Sequence, residues 1–470
     1  MKITFIGGGS HRFASTARTL LAAADLQIDE IALYDINKTR ADAVASFIEK
    51  TPEFTARPCR ILRSETLETA LEQADLVCIV IFANDPRTLQ LVNQACGRHG
   101  FMSNSWPMSP GCTLRAPKVC SIVLDIAQKM ERLCPDAWLL DFSNPVSVAS
   151  GIINHHTKIK GFGICEGFSN HLWDISRLFG KDEMALETDT DMHCAGVNHF
   201  SFVSPKSIWK GRNLYQQLDE LIAKDNWTLP VLAGSRSNEY QMSIIGGLEQ
   251  LLLGYKRYGY LLFSSEADGL ASMNVSGFAE PYAKRMAEQS DEQVEEMVKI
   301  QQQERHKSDQ KFSDLINMAP LEIDWNQVDI ENPQLKKKIH DLMVLMARAK
   351  SGKTVRVATS VPNNGAIKNL PDRFIVEFSQ IFENGQMRPS IAHELPMPWY
   401  SWISAFAAHQ TLLADAIACD CPETFFQAIS CYPVNRDSTP FWKMWREGLE
   451  ISRNDISPNL AKVIDLLPKV

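Results

Sequence analysis

Short apolar runs alternate with stretches of helical spacing over the first third of this chain, and that rhythm leaves few folds open. "KITFIGGG" (2–9) reads as a strand and a glycine turn, and "EIALYDI" (30–36) as a second strand. "ADLVCIVIF" (74–82), "AWLLDFSNP" (137–145) and "IKGFGIC" (159–165) are further strands with almost no polar interruption. Between them, "STARTLLAAAD" (15–25), "ADAVASFIEK" (41–50) and "APKVCSIVLDIAQKMERLCP" (116–135) carry helical spacing. Strands apolar on both faces and separated by helices need a parallel sheet covered on both sides. The expected fold class is α/β, with a Rossmann-type doubly wound parallel sheet over residues 1–190.

Beyond that point the alternation stops. Helical spacing returns at 242–259, 291–306 and 335–350, and "KTVRVATSVPNNGAIKNLPDRFIVEFSQI" (353–381) reads as strands joined by turns. A long helical region opens at "WYSWISAFAAHQTLLADAIACD" (399–420). Residues 191–470 are therefore expected to form a C-terminal α+β domain. A chain of 470 residues exceeds the roughly 250–300 at which single cores stop growing. No linker or low-complexity tract separates the halves, which predicts a rigid interface between them.

Charge and cysteine usage exclude several classes. A net charge of −8 gives no field favouring nucleic acid or an anionic membrane. Met1 runs directly into a strand, so no secretory leader is expected, and no apolar run reaches the length of a bilayer span. The eleven cysteines are scattered without zinc-type spacing. The expectation is a cytoplasmic protein whose cysteines are mostly small buried apolar residues.

"IGGGSHR" sits between a strand and a helix, the context that a dinucleotide fingerprint requires. Gly7 and Gly9 match it, and Arg12 holds the third glycine's position. Glycines let the backbone approach a pyrophosphate, and the helix opening at Ser10 presents N–H donors. Asp35, ending the second strand, stands where a carboxylate accepts hydrogen bonds from an adenosine ribose and repels a 2′-phosphate, favouring NAD over NADP. Asn84, past the third strand, and Asn144 complete the expected cofactor contacts. The bland alternatives are an ordinary strand-to-helix turn and a helix-capping aspartate.

Two further segments carry polar groups where apolar runs end. "GICEG" (163–167) places Cys165 and Glu166 side by side, and "CAGVNHFSF" (194–202) interrupts an apolar segment with Asn198 and His199. A buried thiol and a satisfied core histidine are the default readings. A carboxylate at the mouth of a buried strand is harder to dismiss, being costly unless paired or set in a cleft. A thiolate with an imidazole suits a borderline divalent ion, the remaining positions being open to substrate oxygens.

The order of "FIGGGS", "PGCTLRAPKVCSIVLDIAQKMERLCPDAWLLDFSNPVS" (110–147), "GICEG", "GVNHFSF" and "NNGAIKNLPDRFIVE" (363–377) resembles glycoside hydrolase family 4 over nearly the whole length. Members of that family are NAD- and metal-dependent glycosidases of the lactate/malate dehydrogenase superfamily. The resemblance implies oxidation of the sugar at carbon 3, proton removal at carbon 2, elimination of the aglycone, hydration and re-reduction. It implies a divalent metal, Mn(II), held by Cys165 and His199. It makes Glu166 the acid for the leaving group, and Asn144 a group reaching sugar hydroxyls beside the nicotinamide.

Departures from the family pattern leave roles open. "FMSNSWPMSPG" (101–111) replaces the usual Gly-Gln-Glu-Thr-like stretch. Asp268 falls in the region of the carbon-2 base, with Tyr282 as its rival. Arg87 and Arg285 are candidates for meeting an anionic sugar, the common alternative being a solvated surface position. The expected substrate is a small α-linked, anionic hexoside, and the expected assembly a homodimer or homotetramer. The competing reading is an NAD-dependent 2-hydroxy-acid dehydrogenase, which would gain nothing from a metal-binding cysteine.

Overall fold

Strands β1 (Lys2–Ile6), β2 (Glu30–Tyr34), β3 (Arg60–Arg63), β4 (Leu76–Ile79), β5 (Trp138–Asp141) and β6 (Lys160–Gly163) pair in parallel. Their order across the sheet is β3-β2-β1-β4-β5-β6, the doubly wound arrangement in which the crevice opens where the strand order reverses, between β1 and β4. The computed structural model describes residues 1–103, 108–180, 191–223, 251, 255–263, 279–325, 328, 336–434 and 438–469. β4 and β5 are buried at every position, which is why they read as unbroken apolar runs.

Local chemistry places the helices. Asn37 accepts a hydrogen bond from Arg40 N at 3.2 Å and opens the helix Lys38–Lys50. Asp85 accepts from Thr88 N at 2.9 Å ahead of Pro86, opening Pro86–Arg98, and Ser109 accepts from Cys112 N at 3.2 Å, opening Pro110–Leu133. Such caps contribute about 1 kcal/mol each. The helix His11–Ala22 buries its apolar face on β1, where Phe13 stacks on Phe5 with ring centroids 4.3 Å apart.

The strands of the C-terminal half are β7 (Cys194–Val197), β8 (Phe200–Val203), β9 (Ile208–Trp209), β10 (Arg212–Asn213), β11 (Leu262–Phe263), β12 (Val355–Pro362), β13 (Ile375–Glu383) and β14 (Gln386–Pro389). Apart from the β9–β10 ribbon, they extend the same sheet in the order β6-β12-β13-β7-β8-β11, with β14 also on β13. β12 joins β6 antiparallel, Ser360 opposite Gly163. β13 is buried from Ile375 to Phe382, so it needs cover on both faces and finds it beside the parallel strands. Trp138, Phe162 and Phe382 knit the junction, with centroids 5.1 Å and 5.7 Å apart along the chain of contacts. The helix expected over 242–259 lies mostly outside the described residues. Among the described residues no helix is long and apolar enough to cross a membrane.

Candidate active site

The C-terminal ends of the parallel strands carry the polar groups. Gly7 leaves β1 with φ +79°, and a Cβ there would lie 2.0 Å from the Val80 carbonyl oxygen, so the turn can press against the end of β4 only as glycine. Gly7 N and Gly8 N both donate to Tyr34 O, at 3.0 and 2.8 Å. Gly9 N donates to Asp35 Oδ2 at 2.9 Å, and Asn37 N to Asp35 Oδ1 at 2.8 Å. The carboxylate is thereby held over the glycine turn. Ser10 occupies the N-cap of His11–Ala22 without a side-chain capping bond. Phe13 N donates to Ser10 O at 3.0 Å, and no side-chain cap competes with an anion for this helix end.

Asn84 is 3% exposed, and its Oδ1 has no hydrogen-bond partner among the described residues. Its Nδ2 donates to Asp455 Oδ2 at 3.1 Å, and Lys118 Nζ holds Asp455 Oδ1 at 2.6 Å. Ile36 and Phe82, at the ends of β2 and β4, remain 94% and 57% exposed. A glycine cradle, a placed carboxylate and an orphaned buried amide oxygen fit a dinucleotide.

At the chemical end the two segments meet. Cys165 lies just past β6, and Asn198–His199 form the two-residue connection between β7 and β8, where Val197 pairs with Phe200. Cys165 Sγ is 3.2 Å from His199 Nε2. His199 has φ +64°, a left-handed conformation that costs a non-glycine residue of order 1–3 kcal/mol and persists where the surroundings impose it. Gly167 faces both groups: a Cβ there would sit 3.7 Å from His199 Nε2 and 3.8 Å from Cys165 Sγ. Several other thiols are sealed in the core, Cys78, Cys96 and Cys120 among them, where burial pushes Cys96 up to about 12 and raises Cys78 and Cys120 well above the usual thiol value. Cys165 is only partly buried. Among the described residues no cluster of three or more His, Cys, Asp or Glu that could hold a metal occurs. The thiol and imidazole fit a borderline divalent ion completed by oxygen ligands from substrate or water.

Glu166 Oε1 lies 3.8 Å from Arg12 Nη1. Asn144 stands partly exposed past β5. Arg87 is on an exposed helix face, ion-paired with Glu295, and Arg285 is exposed on the helix Ala279–Ala287. Asp268 lies outside the described residues, as does the side chain of Tyr282.

Sequence reasoning did not single out three contributors. Glu377 on β13 is 4% exposed; its Oε2 accepts from Asn198 Nδ2 at 2.8 Å and from Ser360 Oγ at 3.3 Å. Desolvation raises its pKa, opposed by Asn198 and by the nearby His199. Asp141, ending β5, is fully buried, and desolvation raises its pKa to about 8. Both were visible as lone acids inside apolar runs. Asp455 had no comparable signal.

A doubly wound sheet of this order, with a glycine turn past β1 and a thiol–imidazole pair past β6 and β7, fits a protein that binds a dinucleotide and a cation. Comparison with known proteins gives the family. The description "Family 4 glycosyl hydrolase" matches residues 2–177, and "Family 4 glycosyl hydrolase C-terminal domain" matches 194–434. The chain belongs to glycosyl hydrolase family 4. It is 25% identical over 431 residues to an alpha-galacturonidase of Lachnoclostridium phytofermentans, covering 84% of this chain and 83% of the relative. It is 24% identical over 402 residues to an alpha-galactosidase of Bacillus subtilis, covering 84% of each. The fold is that of the 6-phospho-beta glucosidase from Thermotoga maritima, solved with manganese, NAD+ and glucose-6-phosphate, with a TM-score of 0.72 at 18% identity over 97% of this chain and 100% of that one.

Proposed function

We propose that this chain is an NAD- and Mn(II)-dependent glycosidase that cleaves a small α-linked hexoside bearing an acid group, through oxidation at carbon 3, elimination, hydration and re-reduction. The observation that carries the reading is the 3.2 Å approach of Cys165 Sγ to His199 Nε2 at the strand ends that also hold the glycine cradle. The relatives named alpha-galacturonidase and alpha-galactosidase support the α-linkage, and the former supports the acid group.

NAD, when bound, accepts and returns the carbon-3 hydride, and the cation stabilises negative charge next to the carbon-3 carbonyl. The rest is the work of side chains. Gly7, Gly9 and Ser10 cradle the pyrophosphate, Asp35 holds the ribose, and Asn84 adds its buried amide oxygen to the cofactor contacts. Cys165 and His199 hold the cation. Asn144 orients the sugar hydroxyls beside the nicotinamide. Glu166 delivers a proton to the departing oxygen, and Asp268, or its rival Tyr282, removes the proton at carbon 2. Arg87 and Arg285 are the candidates for meeting the acid group.

The test is turnover in deuterium oxide with a panel of α- and β-glycosides, including uronides and 6-phosphates. The reading expects deuterium at carbon 2 of the released sugar and no accumulation of NADH. Cleavage with carbon 2 unlabelled would exclude the elimination route.

A further inference from the structure

We infer that Glu377 is a positioning residue for the cation site: its carboxylate fixes Asn198 and sets a negative charge behind His199. The inference rests on the assignment of Cys165 and His199 as cation ligands. β13 pairs with β7 so that Glu377 lies opposite Gly196, two residues before the Asn198–His199 connection. From there its Oε2 accepts the Asn198 amide at 2.8 Å and the Ser360 hydroxyl at 3.3 Å. Such bonds are roughly twice as strong to an ionised acceptor as to a neutral one. They end on the residue next to the one held at φ +64°.

A carboxylate is an expensive choice for this place. At 4% exposure it loses most of its hydration, and a glutamine of the same shape could accept the same amide bond at less cost. What the glutamine lacks is charge. Outer partners that orient a metal-bound imidazole and add charge behind it strengthen the ligand, and their loss lowers metal affinity on the order of 10–100-fold. A carboxylate kept only for packing would have no such effect.

The test is titration of the full chain with Mn(II) under reducing conditions, following the free-ion signal by electron paramagnetic resonance, with thermal unfolding recorded alongside. For Glu377→Gln the expected result is Mn(II) affinity lower on the order of 10–100-fold, with the melting temperature held or raised and NAD affinity unchanged. Wild-type Mn(II) affinity in that variant overturns the inference and leaves the functional reading standing. A wild-type chain that binds no Mn(II) overturns both. Asn198→Ala in the wild-type and Glu377→Gln backgrounds tests the route: losses that overlap support transmission through Asn198, and fully additive losses contradict it.

Discussion

Cys165 Sγ and His199 Nε2 lie 3.2 Å apart, although 34 positions separate the two residues in the chain. Neither belongs to a strand. Each sits just past one, and β12 and β13 fill the space between β6 and β7. The approach is thus a product of how the C-terminal strands extend the sheet. The chemistry proposed for the chain depends on it.

Replacing Cys165 by Ser should remove the soft ligand without disturbing the nucleotide crevice. A Lewis acid contributes several kcal/mol to stabilising developing charge, so turnover should fall by about 10²–10³-fold or more. NAD affinity, measured by calorimetry, should stay at the wild-type value. Full activity in the variant would remove the metal assignment.

Asp35 is held by Gly9 N and Asn37 N at 2.9 and 2.8 Å with its carboxylate over the glycine turn. Asp35→Ala should weaken NAD binding by about ten-fold, equivalent to roughly 1.4 kcal/mol, and narrow the preference over NADP. Calorimetric titration with each nucleotide reads both effects. An unchanged NAD-to-NADP ratio would count against the ribose role.

Glu166→Gln separates proton delivery from the rest of the mechanism. General acid catalysis contributes about 10²–10⁴-fold, so hydrolysis of glycosides with poor leaving groups should drop by that order. Nitrophenyl glycosides, whose leaving group needs little protonation, should be affected far less. Equal losses on both would assign Glu166 a binding role instead.

Asp141 links stability to pH. Desolvation raises its pKa from 3.8 to about 8 in the folded chain, so between those values the native state binds a proton that the unfolded state has released. The stabilisation is complete below the unfolded pKa and declines as pH rises toward the folded one, by at most about 1.4 kcal/mol per unit. Asp141→Asn should therefore gain melting temperature relative to wild type as pH rises from about 5 to about 8. Parallel melting curves for the two proteins across that interval would contradict this.

The parallel half was readable because β4 and β5 are buried throughout and therefore apolar throughout. β3, "RILR", was not recognised: an edge strand exposed at both ends carries little periodic signal. Nor could the sequence reveal that β12 docks on β6 at Gly163, since pairing between segments about two hundred positions apart leaves no local pattern. The site divides the same way. Gly7, Gly9, Asp35, Cys165 and His199 stand at strand ends or turns where a polar residue or a glycine breaks an apolar run. Asp455 reaches Asn84 across 371 positions from an unremarkable polar stretch, and only tertiary packing brings it there.

The most direct measurement is titration of the reduced chain with Co(II), recording the near-ultraviolet thiolate-to-cobalt charge-transfer band. The account predicts a saturable band at one ion per chain that disappears in Cys165→Ser and is weakened in His199→Ala. A wild-type chain without the band, or a Cys165→Ser variant that retains it, would contradict the claim that this thiol and imidazole share a cation.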